Sequence, residues 1–382
     1  MDKYAFSLVF LFIIGCNHPK QNKNITFVKV DELEVEVPGF MTVNPSIIQM
    51  VESDSGNFLF VYNNISKNFQ FVDLQSGNLV REVPLTYEGP NSVLGLSGGA
   101  VTNLDSIWIT FTPPGIGLIN FGGDVLIKRK IENDLFPITY LGAKSNRSLY
   151  RDGNKIFGPQ TYFMKHHGMR KEDIKKHQLV YSYDFRSDSV QWYDVFYPDD
   201  FWDQGKKMSE YSWTQRGKKM YIAPWNDHEI QVFDMEAGKI TGRHQVKSNY
   251  IDNFFHVNKL PASADEGMKN LLEHDVYGGF MYDQYRDVFY RIFIPGFKLE
   301  EDYSIEDLNR LELSRPYMGI MVLDKDLNIL GEHVFEKFEV YSFANHFVGK
   351  KGLYLSTNNS FNQDYDEDNF KYIVLQVETG EP

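Results

Sequence analysis

The sequence contains one cysteine, Cys16, among its 382 residues. A single thiol cannot form a disulfide bond within the chain, so packing and hydrogen bonds must stabilise the fold even in an oxidising compartment. Zinc sites built from several cysteines are excluded for the same reason. The protein is therefore neither a disulfide-stabilised small domain nor a cysteine-ligated zinc protein.

Positive charge is also scarce. Lysine and arginine total 39 against 52 aspartate and glutamate residues, which gives a formal net charge of −13, and the basic residues form no block. A surface of this charge repels phosphate backbones and anionic lipid head groups. The composition therefore predicts that nucleic acid is not a partner.

Signatures of common catalytic and cofactor sites are missing. The chain has no phosphate-binding loop, dinucleotide fingerprint, nucleophile elbow or His-Glu-x-x-His motif. His166, His167 and His177 are close in sequence but lack a metal-ligand spacing. Residues 362–368 alternate oxygen donors, yet they lack the glycine and the final glutamate of a calcium loop. We therefore predict no metal and no cofactor, and we assign no catalytic residue.

Long hydrophobic runs are missing apart from residues 4–14, which are too few to cross a bilayer as a helix. This run ends in Ile13-Ile14-Gly15-Cys16, which resembles a bacterial lipobox, the site where a cysteine thiol is acylated. We predict a lipoprotein signal peptide over residues 1–15 and lipidation of Cys16. The alternative is a structural cysteine within an ordinary signal sequence.

A polar stretch, residues 16–24, follows the lipobox and has no periodicity, which is typical of a flexible tether. It lacks the acidic cluster that resembles a surface-export signal in some Gram-negative lipoproteins. We therefore predict a cell-envelope location, with a lipid anchor in the outer membrane that faces the periplasm.

What the sequence has in abundance is one repeated pattern. Residues 69–80 contain an alternating apolar run, a turn with Asp73, Ser76 and Gly77, and a second apolar run. Alternation is typical of a half-buried strand, and these turn residues favour tight turns, so the stretch predicts a β-hairpin. Degenerate copies recur at residues 117–126, 180–190, 231–240, 320–330 and 372–380.

Two further strand candidates precede each hairpin. The first of each pair lies at residues 46–51, 92–96, 138–142, 208–213, 279–282 and 340–344, and the second at residues 57–62, 106–111, 155–157, 219–223, 288–293 and 352–356. Six four-stranded antiparallel units at this period predict an all-β fold, a six-bladed β-propeller. Aromatic residues make up 15% of the chain, which suits sheets that pack face to face.

The sixth unit has no candidate for an outer strand before Pro382. Residues 25–37 alternate strongly and precede the first unit. We predict that this segment supplies the missing strand and closes the ring, so that residues 25–382 form one propeller domain. The alternative is an independent N-terminal hairpin.

Long connections are predicted to share one face of the propeller. The connections from second to third strand and from blade to blade lie on the same face, and the long ones belong to this class: residues 158–178, 197–207, 247–278, 295–316 and 357–369. Short helices are predicted within them at residues 169–176, at residues 263–272, and after Ser304, which resembles a capping-box serine with Asp307 in the glutamate position. Repeat proteins collect insertions on the face that they use, so this is the predicted recognition face. The alternative is that the helices are packing ornaments.

Two clusters in these connections mix tryptophan with carboxylates and histidine: Trp202 and Asp203, and Trp225, Asn226, Asp227 and His228. Flat rings stack on sugars or peptides while carboxylates accept hydrogen bonds, so we predict ligand binding by these residues. Paired carboxylates can also act as acid and base. An envelope hydrolase or lyase that acts on glycans or peptides is therefore the alternative.

Three features together resemble a family of Bacteroidota lipoproteins: the lipobox, Phe71-Val72-Asp73-Leu74 in the first hairpin, and Tyr87-Glu88-Gly89-Pro90-Asn91 before the second unit. This family is known as domain of unknown function 4221 and is similar to TolB-like six-bladed propellers. The resemblance implies the fold and a lipid anchor but no activity.

The sequence as a whole predicts a ligand- or partner-binding module. Its predicted partners are the membrane, through the lipid, and a protein, peptide or glycan. A scaffold subunit of an envelope complex is a further alternative.

Overall fold

The computed structural model describes residues 25–37, 43–135, 137–138, 140–160, 166–257, 259–299 and 303–379. The predicted signal peptide, Cys16 and the tether lie outside these residues. The chain forms six four-stranded antiparallel sheets, which confirms the predicted six-bladed β-propeller. Within the described ranges, no helix has the length and apolar character needed to cross a bilayer.

Each blade except the last is built from strands that are consecutive in the chain. In chain order the strands are β1 Ile25–Glu36, β2 Ile48–Ser53, β3 Gly56–Asn63, β4 Asn68–Asp73, β5 Leu79–Val83, β6 Leu96–Asn103, β7 Ser106–Phe111, β8 Gly115–Asn120, β9 Val125–Lys130, β10 Tyr150–Asp152, β11 Lys155–Pro159, β12 Val180–Asp184, β13 Ser189–Trp192, β14 Tyr211–Arg216, β15 Lys219–Pro224, β16 Glu229–Asp234, β17 Lys239–Gln245, β18 Val276–Asp283, β19 Val288–Ile294, β20 Gly319–Leu323, β21 Ile329–Val334, β22 His346–Gly349, β23 Gly352–Ser356 and β24 Asn369–Thr379. Blades 1 to 5 are β2–β5, β6–β9, β10–β13, β14–β17 and β18–β21, and blade 6 is β22, β23, β24 and β1. Residues from all six first strands line a common central channel.

The N-terminal strand closes the ring as predicted. β1 pairs antiparallel with β24, from Ile25 opposite Thr379 to Glu36 opposite Asn369. The side chain of Val35 is 2% exposed and packs in the core shared by blades 6 and 1. Because β1 covers the free edge of β24, one sheet contains both ends of the described chain.

The inner strands of blades 2, 3 and 6 differ from the prediction. β6 runs beyond residues 92–96 to Asn103, and β10 and β22 begin after residues 138–142 and 340–344, so these three predictions are wrong. The segment before β22 is a buried loop, in which the Tyr341 N–H donates to the Ser356 carbonyl at 2.8 Å. Its apolar alternation therefore reports burial rather than strand pairing.

Two glycines explain the error in blades 2 and 3. Strand prediction disfavours glycine, yet Gly98 and Gly99 lie in the middle of β6. A Cβ atom on Gly98 would lie 2.3 Å from the Ala143 carbonyl oxygen, and one on Gly99 would lie 2.7 Å from the Phe69 ring. The missing side chains let the segment that ends at Ala143 pack flat against β6, where Gly99 N–H donates to the Ala143 carbonyl at 3.1 Å. This segment is therefore buried against blade 2 and does not form the first strand of blade 3.

The repeated hairpin is fixed by an aspartate at the end of the third strand. In blades 1, 3 and 4, the Oδ1 atoms of Asp73, Asp184 and Asp234 accept the backbone N–H groups two and three residues on, at distances between 2.7 and 3.1 Å. The hydrogen bond from Ser76 N–H is the main cause that holds the pKa of Asp73 below its usual value. The Ser187 N–H has the same effect on the pKa of Asp184.

These lowered pKa values predict sensitivity to acid. A carboxyl group whose pKa is lower in the folded than in the unfolded chain stabilises the fold above its unfolded pKa of about 4, and this contribution is lost as the pH falls through the folded pKa. We expect the urea midpoint to fall between about pH 5 and about pH 3. It should fall less steeply in the double variant Asp73→Asn, Asp184→Asn, whose amide oxygens can hold the turns without titrating. An equally steep fall in that variant would contradict this account of the turns.

Two of the predicted helices are α-helices, and the third is a 3₁₀ helix. α1, Ala264–Leu272, lies between blades 4 and 5, and α2, Ile305–Leu313, lies between the second and third strands of blade 5. The cap predicted at Ser304 is confirmed, because its side chain accepts the N–H group of Asp307, and Ser263 caps α1 in the same way through Glu266 N–H. The 3₁₀ helix is Lys171–Lys176.

The long connections of blades 4, 5 and 6 meet on one face. Leu272 of α1 packs with Leu308 and Leu311 of α2, and Phe338 and Phe361 from the next two connections join the same apolar cluster. We call the side of the ring that carries these connections the loop face. The helices thus build one continuous wall on the predicted recognition face.

A short 3₁₀ helix, Ser145–Arg147, lies across the centre of the ring, and we call it the central turn. Ser145 N–H donates to the Ser46 carbonyl before blade 1 at 3.3 Å. From the same turn, Arg147 Nη1 donates to Glu210 Oε2 at 2.6 Å and to the Tyr211 carbonyl of blade 4 at 3.0 Å. The central turn therefore joins distant blades and stands between a cavity on the loop face and the channel beyond, since Ser145 lines both.

Candidate functional site

A cavity of about 260 Å³ lies at the centre of the loop face, above the central turn. Apolar side chains form much of its wall: Met208, Trp225, Phe255, Leu271, Ile294 and Phe343. Charged residues from four connections also line it: Lys144, Arg147, Glu210, Asp275, Glu312 and Arg315. A concave apolar wall with a few polar groups is the usual form of a small-molecule site. We call this space the central cavity.

Trp225 is held rigidly at the wall of the central cavity. Its Nε1–H donates to Ser212 Oγ at 2.7 Å, and Ser212 Oγ donates to the Gly278 carbonyl at 2.8 Å. The indole ring meets the Phe343 ring edge to face, with centroids 6.2 Å apart. The neighbouring Asn226 is buried, and its Nδ2 donates to the Met208 carbonyl at 3.3 Å. These two predicted site residues therefore line the cavity in a fixed geometry.

The turn that carries Trp225 is held by a buried arginine of blade 5. Arg291 in β19 is fully buried, and its guanidinium lies 3.6 Å from the centre of the Tyr277 ring. It donates to four main-chain carbonyls, those of Pro224 (3.0 Å), Asp227 (2.6 Å), His228 (3.3 Å) and Val246 (2.9 Å). Burial lowers the pKa of Arg291 to about 10, so the side chain stays charged at neutral pH. Arg291 is thus a positioning residue for the turn.

Asp227 and His228 face neighbouring protein groups and do not line the central cavity. Asp227 Oδ2 lies 2.8 Å from Lys207 Nζ. His228 Nδ1 lies 2.9 Å from the Tyr277 hydroxyl oxygen, which also accepts Ser248 N–H at 3.0 Å. Burial, with the nearby Arg291 charge, lowers the pKa of His228 to about 4. His228 is therefore neutral near pH 7.

The other predicted pair, Trp202 and Asp203, lies away from the cavity. Trp202 is 2% exposed, belongs to the core between blades 3 and 4, and donates from Nε1 to the Lys207 carbonyl at 2.9 Å. Asp203 is exposed on the surface, where its carbonyl accepts Lys171 Nζ at 3.1 Å. The structure therefore brings together Trp225 and Asn226 at the cavity and places the other four residues behind its wall or outside it.

Sequence reasoning missed the charged residues of the cavity. Arg147 is 3% exposed and forms the ion pair with Glu210. Arg315 is 6% exposed and donates to the carbonyls of Leu271 and His274, at 2.9 and 3.0 Å, where α1 ends. Burial lowers the pKa of Arg315 to about 10. Each is a single charge in a long connection, and no motif marks such a residue.

The channel beyond the central turn is a second space, of about 480 Å³. Trp213, Phe280 and Phe347 contribute to its lining. His346 is buried there, and its Nδ1 accepts Ser356 N–H at 3.2 Å. Burial lowers the pKa of His346 to about 4, so its imidazole is neutral. This channel is built mainly from the inner strands rather than from the variable connections.

No group of three or more potential metal ligands occurs among the described residues. Two of the histidines that are close in sequence, His166 and His177, are hydrogen-bonded to protein groups. His166 Nε2 lies 2.8 Å from Ser209 Oγ, and His177 Nδ1 lies 3.0 Å from Gln160 Nε2. In the acidic loop, Asp366 Oδ1 accepts Asp368 N–H at 2.8 Å, so this carboxylate is used by its own turn.

Two solved structures share the fold of this chain. A structure from Bacteroides vulgatus ATCC 8482, described as a member of the DUF4221 family, is 20% identical with a TM-score of 0.80, over 94% of this chain and 100% of that one. A protein from Bacteroides fragilis NCTC 9343, provisionally described as exported, is 10% identical with a TM-score of 0.56, over 94% of this chain and 97% of that one. At these identities the likeness shows the fold alone. A search of curated proteins found no match.

The sequence itself identifies the family. The model of the family described as domain of unknown function DUF4221 matches residues 24–334, which is most of the chain. The protein therefore belongs to the DUF4221 family.

Proposed function

We propose that this protein is a lipid-anchored binding module of the cell envelope that takes its ligand in the central cavity. The observation that carries the proposal is a cavity at the centre of the loop face, whose aromatic wall is fixed and whose lining includes several charged residues. A packed core leaves few voids larger than a water molecule and buries charges only when they are paired. Such a space is therefore better explained as a site than as a packing defect.

The anchor and the cavity would lie on opposite sides of the propeller. Ile25 pairs with Thr379 at the end of a third strand, which is the side away from the loop face. A lipid on Cys16, joined by the predicted tether, would therefore place the loop face toward the aqueous space. The lipobox supports this arrangement, and the fold is shared with a Bacteroides fragilis protein provisionally described as exported. We infer that the anchor is in the outer membrane and faces the periplasm.

Truncation of Trp225 tests the binding role. The full chain in detergent is screened by thermal shift against amino acids, short peptides and glycan fragments, and hits are measured by calorimetry. Trp225→Ala is expected to weaken binding by about tenfold or more, because rigid aromatic anchors dominate binding energy. Trp192→Ala is the matched control, since Trp192 lies on the outer strand β13 and donates to the Glu132 carbonyl. Equal affinity of both variants with the wild type would contradict the proposal.

Two other experimental outcomes would replace the proposed binding function with a different one. Turnover of a glycan or peptide that disappears in Asp227→Asn or Asp203→Asn would identify an envelope hydrolase or lyase. Capture of one protein in constant ratio, without binding of any small molecule, would identify a scaffold subunit.

A further inference from the structure

Lys144 is a half-buried cation at the edge of the central cavity. It immediately precedes the central turn, and its side chain lines the cavity. Its ammonium group makes no hydrogen bond or ion pair with any described residue, because the nearby Glu210 is engaged by Arg147 at 2.6 Å. Burial, with the nearby Arg147 charge, lowers the pKa of Lys144. The amine is therefore half-buried at the cavity and has no hydrogen-bond acceptor among the described residues.

Glu312 is the matching anion. It lies in the last turn of α2 and lines the same cavity. Its carboxylate makes no hydrogen bond or ion pair with any described residue, and burial raises its pKa. Within the central turn, Asn146 adds a buried amide oxygen, Oδ1, that also has no partner among the described residues. Among the residues that the structure describes, the cavity therefore offers Lys144 as a cation and Glu312 and Asn146 as acceptors without hydrogen-bond partners.

The other charged groups of the cavity are already satisfied. Arg315 donates to two carbonyls at the end of α1. Asp275 accepts three main-chain N–H groups at 2.8 Å, those of Asp252, Asn253 and Gly296. These groups therefore have protein partners, whereas Lys144, Glu312 and Asn146 Oδ1 have no hydrogen-bond partner among the described residues.

We propose that the central cavity binds a small zwitterion, a free amino acid or a short peptide, whose carboxylate pairs with Lys144 and whose ammonium group pairs with Glu312. Half-buried charges without hydrogen-bond partners are poorly stabilised, and a ligand with both signs would satisfy both at once. The apolar wall of Trp225, Phe255 and Phe343 would receive the side chain. The volume of about 260 Å³ is ample, because a single water needs only about 10–15 Å³. This inference rests on the proposed binding function.

The test uses three probes that differ only in charge: L-phenylalanine, 2-phenylethylamine, which lacks the carboxylate, and 3-phenylpropionate, which lacks the amine. Their affinities for the full chain are measured by calorimetry at pH 7. L-Phenylalanine is expected to bind at least tenfold more tightly than either analogue. In Lys144→Met its advantage over 2-phenylethylamine should disappear, and in Glu312→Gln its advantage over 3-phenylpropionate should disappear.

Matched variants separate these effects from a general loss of structure. Glu306→Gln changes an exposed carboxylate in the first turn of α2, and Lys130→Met removes an exposed lysine, so both should bind like the wild type. Lys144→Met and Glu312→Gln should melt no lower than the wild type, because each removes a charge that burial disfavours.

Failure of this inference is distinguishable from failure of the proposed function. If the single-charge analogues bind as tightly as L-phenylalanine and lose affinity in Trp225→Ala, the zwitterion is wrong and the binding site stands. If none of the three probes binds while another compound of the screen does so through Trp225, the same conclusion follows. If neither these probes nor any compound of the screen binds, both are overturned.

Discussion

Replacement of Arg291 with leucine is expected to lower the free energy of unfolding by about 3–5 kcal/mol. The substitution removes the donors to four buried or half-buried carbonyls, of which those of Pro224 and Val246 are bonded at 3.0 and 2.9 Å. Each buried carbonyl left without a donor costs about 1–3 kcal/mol. Removal of the buried guanidinium charge is itself favourable and offsets part of these costs. The expected destabilisation is therefore smaller than the sum of the costs for four unpaired carbonyls. Urea unfolding monitored by circular dichroism measures the change.

Arg216→Leu is the control for this prediction. Arg216 also carries a guanidinium near a tyrosine ring, but it is partly exposed and pairs with Asp287 at 2.7 and 3.0 Å. An exposed pair of this kind contributes less than about 1 kcal/mol. A loss in Arg291→Leu that is no larger than the loss in Arg216→Leu would show that Arg291 does not hold the turn of Trp225.

Deletion of residues 25–36 is expected to abolish cooperative folding. The deletion removes β1 and exposes the whole edge of β24, whose residues from Asn369 to Thr379 pair with it. It also removes the buried Val35 and the apolar contacts of Ile25 and Phe27 with blade 5. Burial of each such side chain contributes about 1.5–3 kcal/mol, and a whole domain is stable by only about 5–15 kcal/mol. Near-ultraviolet circular dichroism and thermal unfolding report the loss.

A second measurement separates ring closure from simple truncation damage. A synthetic peptide of residues 25–37 added to the deleted chain should restore the near-ultraviolet spectrum, because the peptide can pair with β24 in the native register. Deletion of residues 17–24 is the control and should leave the melting temperature unchanged. A chain without β1 that melts like the wild type would contradict the closed ring.

Local chemistry explains why much of the fold could be predicted. The turns at Asp73 and Asp184 and the caps at Ser263 and Ser304 depend on contacts within a few residues, which a sequence displays directly. The closing strand was predictable as well, because alternation in residues 25–37 demanded a partner. The inner strand β6 was not, since its glycines reflect close packing against Ala143 from another connection.

The candidate site was less predictable, and the reason is physical. Trp225 stood out because tryptophan is rare in this chain, with 5 residues in all. Lys144 and Glu312 resemble many other charged residues in the sequence. What distinguishes them is the absence of a partner among the described residues, and that property exists only once blades 3 and 5 are brought to one cavity. Conversely, Trp202 has the same residue type as Trp225 but packs in the core.

A crystal structure of the full chain with the tightest-binding compound of the screen tests the account most directly. The account predicts the compound in the central cavity, against the Trp225 ring and within hydrogen-bond distance of Lys144 or Glu312. Density for the compound in the channel beside His346, or on the outer surface of the blades, with the central cavity unoccupied, would contradict it.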